Sequence, residues 1–476
     1  MNTWVKRLNE VYTKKEKLIH FTLIAIVFLI FLFFRSYNLT GRVGFGWDQE
    51  RDAWAVKSIL SGKPTLLGPR VQGPAGFFLP PYFFYLLTPF YAVTAGSPLA
   101  TSIFIIFWSA VFFGLAYRLI FEIFNKRTAL YFMALWAVNP LAVSIDTIAW
   151  NPIVVPLAFI LLLYLLYLYL KKKKIKYLFL AGICFGLGMS FHLQFLFVFP
   201  VFIPVVIEII KNKKIKQLIN LGVGTVLPFL PIFLFDLRHN FLNFNQIIVF
   251  AKEGSGNINR VLPVWERVAS FVLGITPSGI LGIALYLIVG LGLLALTYKL
   301  KNKINKKTVF GLGLVWIFSL PFFYLFIKNP SEYYFNYLLV PLILFISLFL
   351  VKYKHLGAIV LAVTVFYFAF RAAPVLRDSH LNLREKSKAV IFLSEITKNS
   401  TPFNVSFDVP ANEDSGFRYM LDYYKVGYSG DFSDPLIEFV IPGQKRKDIF
   451  VVGEIGIDIP EGWLKDNWPG KAIKIQ

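Results

Sequence analysis

The stretch Phe77-Phe-Leu-Pro-Pro-Tyr-Phe-Phe-Tyr-Leu-Leu-Thr-Pro-Phe-Tyr-Ala-Val93 decides how the whole chain is threaded. It is apolar enough to pass for a membrane span. If it crossed a bilayer, every basic cluster after it would change sides. The positive-inside rule, which gathers Lys and Arg in short cytoplasmic loops, settles the parity. With residues 77–95 in the interface, the cytoplasmic segments hold Lys126–Arg127, Lys171–Lys174, Lys211 to Lys216, Lys299 to Lys307 and Lys352/Lys354. The opposite short loops, 146–151, 192–194 and 328–334, then hold a single lysine, Lys328. Pro80, Pro81 and Pro89 suit a broken, surface-lying helix better than a straight span. Its Tyr and Phe side chains belong at headgroup level. The stretch is read as amphipathic and interfacial.

Composition agrees that lipid is the main solvent. The 476 residues are 57% hydrophobic and only 16% charged, with 51 Phe, whereas soluble domains carry about 25% charged residues. A net charge of +22 would suggest nucleic acid in a soluble protein. Here the lysines fall between apolar runs, where topology accounts for them, and nucleic acid is not an expected partner. Cys184 is the one cysteine and lies in an apolar run, which excludes an intrachain disulfide and a cysteine metal site. Lys6, Arg7, Lys14, Lys15 and Lys17 precede the apolar run Leu18–Phe34. That run is long for a signal peptide and no small-residue cleavage site follows it, so it reads as an uncleaved first span with a cytoplasmic N-terminus.

About 20 apolar residues cross a bilayer as a helix. On that length the chain is an α-helical polytopic membrane protein with about eleven spans: 18–35, 99–121, 128–145, 152–170, 177–191, 195–210, 217–235, 271–298, 308–327, 335–351 and 355–370. Residues 36–98 form one large outer loop with two interfacial helices, roughly 49–61 and 78–95, joined by the Gly/Pro-rich link Gly62–Gly76. A second outer loop covers 236–270, and its middle, Glu253-Gly-Ser-Gly-Asn257, reads as mobile. Residues 1–370 are read as the membrane domain and 371–476 as a small soluble α/β domain. Strand alternation at Asn404–Val409 and Asp448–Val452 and a helical period near Glu385–Lys398 support the latter. The odd span count places this domain outside the cytoplasmic membrane.

Polar residues converge on the outer face under this threading. Loop one carries Trp47, Asp48, Glu50, Arg51 and Asp52; then come Asp146, His192, Gln194, Asp236, Arg238 and His239, with Lys328 and Glu332 before the tenth span. Charge beside a bilayer is costly unless solvated, paired or used. Each residue also has a plain structural reading. Asp48 could cap the helix that follows it. Asp52 lies one turn on and shares its face, yet could be a solvated helix residue. Glu50 and Arg51 could be a local surface pair. Asp146 could cap the fourth span, and His192 could be a hydrogen-bonded core residue. Arg238 and His239 suit a phosphate at the lipid surface, although an arginine there could simply snorkel. No phosphate-binding loop, zinc-protease helix, nucleophile elbow or dinucleotide fingerprint occurs.

The order of these motifs resembles the GT-C glycosyltransferases, which use polyprenyl-phosphate sugars, and among them the branch of protein O-mannosyltransferases and lipid A aminoarabinose transferases. The resemblance rests on Trp47-Asp-Gln-Glu-Arg51 and Pro80-Pro-Tyr-Phe-Phe-Tyr-Leu-Leu87. Trp150-Asn-Pro152, His192-Leu-Gln194 and Tyr334-Phe-Asn-Tyr-Leu-Leu-Val-Pro341 match more weakly. It covers about the first 350 residues. It implies an inverting transferase of the cell membrane, with its site outside, that moves a sugar from a polyprenyl-phosphate donor to a protein, lipid or glycan acceptor. The family's first-loop acid maps on to Asp48, a general base on the acceptor. Its adjacent Glu is Gln49 here, with Glu50 one place later. Asp146 is a third catalytic candidate. Arg51, Arg70, Arg238, His239 and Lys328 are candidates for the donor phosphate, and Trp47, Asp52, His192, Gln194 and Glu332 for the acceptor cleft. A divalent cation, Mg or Mn, held by Asp48 and Glu50 is a further implication.

Two other classes compete. A secondary transporter or lipid flippase would need buried charge near mid-membrane or interrupted half-helices in related halves. The spans have almost no such acids and no visible repeat. A membrane scaffold whose tail binds a partner is the third reading.

Overall fold

The structure is a computed structural model, and it describes all residues except 1, 72–75, 254–257, 274–278, 327–330, 432, 442–449 and 468–476. Among the described residues, nine helices are long and apolar enough to cross a membrane. Two further segments complete the set expected from the sequence. Lys126–Val138 and Pro140–Asp146 form a pair bent by 72°, and Ile175–Phe191 is a shorter apolar helix. The expected count of eleven thus resolves into nine long helices, one bent pair and one short helix.

The bend has a local cause. Pro140 cannot donate to the preceding turn, and Asn139 starts a new helix by accepting the Ala142 N–H at 3.1 Å. Close packing of Ile175–Phe191 on Gln217–Val226 also follows from sequence. A Cβ at Gly182 would lie 2.3 Å from the Leu221 carbonyl oxygen, and one at Gly224 would lie 2.3 Å from that of Phe179. Only hydrogen at these positions lets the two backbones approach this closely.

Two of the predicted cytoplasmic segments meet at one end of the bundle, where Glu208 pairs with both Lys173 and Lys307. At the other end sits the first loop, with helices Trp47–Leu60 and Tyr82–Val93. The latter buries Phe83, Phe84, Leu87 and Tyr91, one face of a 3.6-residue period. The loop expected over 236–270 is largely helical instead, as Leu242–Glu253 and Ile258–Leu273. Asp236 caps the first of these by accepting the N–H groups of Asn243 and Phe244. Part of the stretch read as mobile, 254–257, lies outside the described residues.

Beyond Lys354–Ala372 the tail builds a helix, Leu383–Thr397, and a four-stranded sheet. The strands are β1 (Asn404–Asp408), β2 (Leu436–Val440), β3 (Phe450–Val452) and β4 (Ile455–Asp458), in the order β1-β2-β4-β3. β1 and β2 are parallel, and the other two pairings are antiparallel. The tail does not hold a core of its own. Leu39, Val43, Phe45, Val56, Phe83 and Tyr91 of the first loop join Leu383, Phe417, Tyr419, Ile437 and Phe439 in one buried cluster.

Candidate active site

The Trp47–Leu60 helix sits where the bundle, the first loop and the tail meet. Gly46 is its N-cap, and Gln49 reaches back to accept the Gly46 N–H at 3.1 Å. The Gln49 amide also donates to the Ala149 carbonyl at 3.1 Å, which ties the helix start to the Trp150 loop. Gln49, at the place where the resemblance led one to expect an acid, is therefore an anchor.

Asp48 follows in the first turn and is partly exposed. Arg51 bonds its Oδ1 at 2.7 Å and also grips Asp52 Oδ1 with two nitrogens, at 2.6 and 2.8 Å. Burial alone would lower the Arg51 pKa, but the two carboxylates outweigh it and raise it. Asp52 departs from its solvated reading. It is 1% exposed and its Oδ2 has no hydrogen-bond partner. Burial pushes its pKa up to about 7 against the pull of Arg51. The two directions are compatible. Arg51 retains some solvent and shares two acids, whereas Asp52 has lost its water on one oxygen without replacement.

Trp47 is exposed beside Asp48. Facing Asp48 within electrostatic reach is Tyr333, whose ring lies 4.5 Å from Trp150 and 4.6 Å from Tyr334. His192 packs on both tyrosines, at 5.7 and 5.4 Å. The weak motifs come together here. The Gln194 amide donates to Asn336 Oδ1 at 2.7 Å, and Asn336 donates to the Pro152 carbonyl at 2.9 Å. Gln194 is buried in this polar tie rather than open to a cleft. His192 also accepts the Gln194 N–H at 3.3 Å, the structural role that its boundary position allowed.

Other expected site residues are used elsewhere. Asp146 lies at the end of the bent pair and is buried. It accepts from Arg35 at 2.8 Å and from the Trp136 indole at 3.0 Å, and Arg35 also binds the carbonyls of Ala137 and Trp136. That is a structural ion pair, not a free catalytic acid. Glu50 faces the tail: its oxygens accept the N–H groups of Gly416 and Tyr419, each at 2.8 Å. Asp48 and Glu50 are two helix positions apart and project to opposite sides. A cation shared between them does not fit this arrangement. Among the described residues no group of three or more His, Cys, Asp or Glu is placed to hold a metal.

Of the basic candidates, Arg70 is exposed, and its Nε donates to the Gly76 carbonyl at 3.0 Å. Arg238 and His239 are exposed at the end of Leu230–Arg238, with His239 stacked 4.0 Å from Phe235. This corner is joined to the first loop, because Asn243 bonds both the N–H and the carbonyl of Phe78. Glu332 pairs with Arg267. Lys328 lies outside the described residues. The sequence did not single out Arg35, which holds Asp146; Tyr333, within electrostatic reach of Asp48; Tyr91, within reach of Asp52; or Lys386, which binds the Phe45 carbonyl next to the helix. The only sequence signal for Arg35 was a charge at the end of an apolar run, which also describes a snorkelling side chain.

Residues 79–234 match the family described as dolichyl-phosphate-mannose-protein mannosyltransferase. The matched segment holds Pro80–Leu87, Trp150–Pro152 and His192–Gln194 and begins after Asp48. No curated protein matches the chain. Among solved structures, ArnT from Cupriavidus metallidurans bound to undecaprenyl phosphate is similar with a TM-score of 0.57 and 9% identity, over 92% of this chain and 97% of ArnT. The Archaeoglobus fulgidus oligosaccharyltransferase, in complex with Zn and sulfate, is similar with a TM-score of 0.50 and 15% identity, over 84% of this chain. The chain spans 61% of that enzyme's length. At these identities the likeness is one of fold. The chain has the fold of the GT-C glycosyltransferases, which the order of its motifs led one to expect.

Proposed function

We propose that the protein is an inverting membrane glycosyltransferase that takes a sugar from a polyprenyl-phosphate donor on the outer face of the cell membrane, with Asp48 as general base. The observation that carries this reading is the placement of Asp48. It is a partly exposed carboxylate at the start of a loop helix, next to exposed Trp47 and within electrostatic reach of Tyr333, whose ring packs on Trp150 and Tyr334. The fold around it matches that of ArnT, whose structure holds undecaprenyl phosphate.

The chemistry follows from those parts. An acceptor hydroxyl or amine attacks the anomeric carbon on the face opposite the phosphate. The bond from that carbon to the phosphate oxygen breaks, and polyprenyl phosphate leaves with the electron pair. Asp48 takes the acceptor proton, as a carboxylate base does in inverting sugar chemistry. Arg238 and His239, on the corner tied to Phe78, would stabilise the departing phosphate, and Arg70 lies on the same first-loop link. Arg51 has a different part. Held by Asp52, it aims the Asp48 carboxylate. The acceptor is a protein, lipid or glycan.

The test is transfer of an isotope-labelled sugar from a polyprenyl-phosphate donor to envelope acceptors by the purified chain in lipid nanodiscs. Label should move to acceptor and leave free polyprenyl phosphate. A chain that binds donor but releases no labelled product under any acceptor mixture would sink the proposal.

A further inference from the structure

The Trp47–Leu60 helix has two working faces. Asp48 and Asp52, one turn apart, look toward the site. Glu50, Trp54 and Lys57, at spacings of four and three, form a stripe on the other side that faces the tail. All three are engaged there. Glu50 accepts two backbone N–H bonds from residues 416 and 419, at the start of the tail helix Phe417–Tyr423. Trp54 meets Tyr419 edge-on at 5.2 Å, and Lys57 pairs with Asp422.

The same seam continues past the helix. Lys386, buried in the tail, donates from Nζ to the carbonyls of Phe45 and Ser415, at 3.2 and 2.6 Å. Its ammonium stands 4.9 Å over the Phe417 ring. The Tyr419 hydroxyl donates to the Gly96 carbonyl at 2.7 Å. Backbone bonds run from Ser379 to Gly41 and from Leu383 to Val43. Gly416 holds a φ of +94°, and a Cβ there would lie 1.9 Å from the Phe45 carbonyl oxygen. The approach is closed to any other residue. The seam is therefore built from buried hydrogen bonds of fixed direction, and it ends two residues from Asp48.

We infer that the tail is a positioning element for the transfer step, and that Glu50 and Lys386 are positioning residues that set the placement of Asp48. This rests on the transferase reading above. Buried N–H donors that lose their acceptor stay unsatisfied. The helix would then shift to relieve them, and Asp48 would shift with it.

The experiment measures kcat and donor KM for Glu50→Ala, Glu50→Gln, Gly416→Ala and the Glu50→Ala/Gly416→Ala pair in the full chain, with thermal stability recorded beside each. Glu50→Ala and Gly416→Ala should each lower kcat about 10- to 100-fold with donor KM within about twofold, the scale of a misplaced catalytic group. The double variant should be no worse than the more damaged single one, because a Cβ at residue 416 pushes its backbone off Phe45 and so displaces the same N–H that Glu50 accepts. Glu50→Gln keeps one acceptor oxygen and should fall between wild type and Glu50→Ala, with the pH profile unchanged. If Gly416→Ala does not fold, the Gln variant decides. A Gln variant as inactive as Ala would make Glu50 a catalytic residue and overturn the inference. Losses that multiply in the pair, or wild-type kcat in both single variants, would also overturn it. A wild-type chain that transfers no sugar fails the transferase reading instead.

Discussion

Two arginine–aspartate groups, Arg35–Asp146 and Arg51–Asp48, are separated by their surroundings. Arg35 and Asp146 are buried, and Arg35 also binds two backbone carbonyls while Asp146 also takes the Trp136 indole. The three bonds of Arg35 join the first span to the bent pair, and the Trp136 bond ties the two halves of that pair together. Arg51 and Asp48 retain solvent on both partners, beside an exposed tryptophan and an aromatic wall. Identical chemistry is thus a buried rivet in one place and a solvent-accessible pair in the other. The deciding difference is whether the carboxylate can still be reached.

That contrast can be broken by exchanging the damage. Asp48→Asn should lower kcat by about 10²–10⁴-fold, the usual worth of a positioned general base, with thermal stability unchanged. Asp146→Asn should do the reverse, with stability falling by about 3–5 kcal/mol because Arg35 is left buried and unpaired. Chemical or thermal unfolding in the same nanodisc preparation, run beside the transfer assay, compares the two. A second variant sharpens the rivet claim. Replacing both Arg35 and Asp146 by apolar residues of similar volume should recover most of the lost stability.

Asp52 supplies a pH test inside the reachable group. Its folded pKa of about 7 stands above the ordinary 3.8. A raised carboxyl pKa contributes stability that is present below the unfolded value and lost as pH rises through the folded one. Melting temperature should therefore decline between about pH 4 and pH 7. Asp52→Asn should flatten that decline and raise stability at pH 8. The smallest effect is expected at Lys57–Asp422, where both side chains are largely exposed. Asp422→Asn should cost about 0–1 kcal/mol, and less at high salt.

Much of the fold was legible because lipid imposes simple rules. Apolar length marked the helices, and lysine clusters marked one end, where Glu208 ties Lys173 to Lys307. Proline and tyrosine content kept residues 77–95 out of the span count, and the helix there is indeed short. Long-range partners were not legible. Glu50 reaches Gly416 and Asp146 reaches Arg35, and nothing in local sequence encodes a partner more than a hundred residues away. The i, i+4 spacing of Asp48 and Asp52 correctly gave a shared face, but spacing says nothing about which of the two is covered. Asp52 is covered where its helix packs against Tyr82–Val93, whose Tyr91 lies within electrostatic reach of it. The tail's sheet also escaped a full reading, because its four short strands pair across helices and loops and signal weakly one at a time.

The central claim is that Asp48 deprotonates an acceptor that attacks opposite a phosphate leaving group. Its most direct test is the anomeric configuration of the product, read by NMR from a donor of defined configuration. The account predicts inversion, with the product anomer opposite to the donor's. A product that retains the donor's configuration would contradict it, because two displacements and a nucleophile other than the acceptor would then be required.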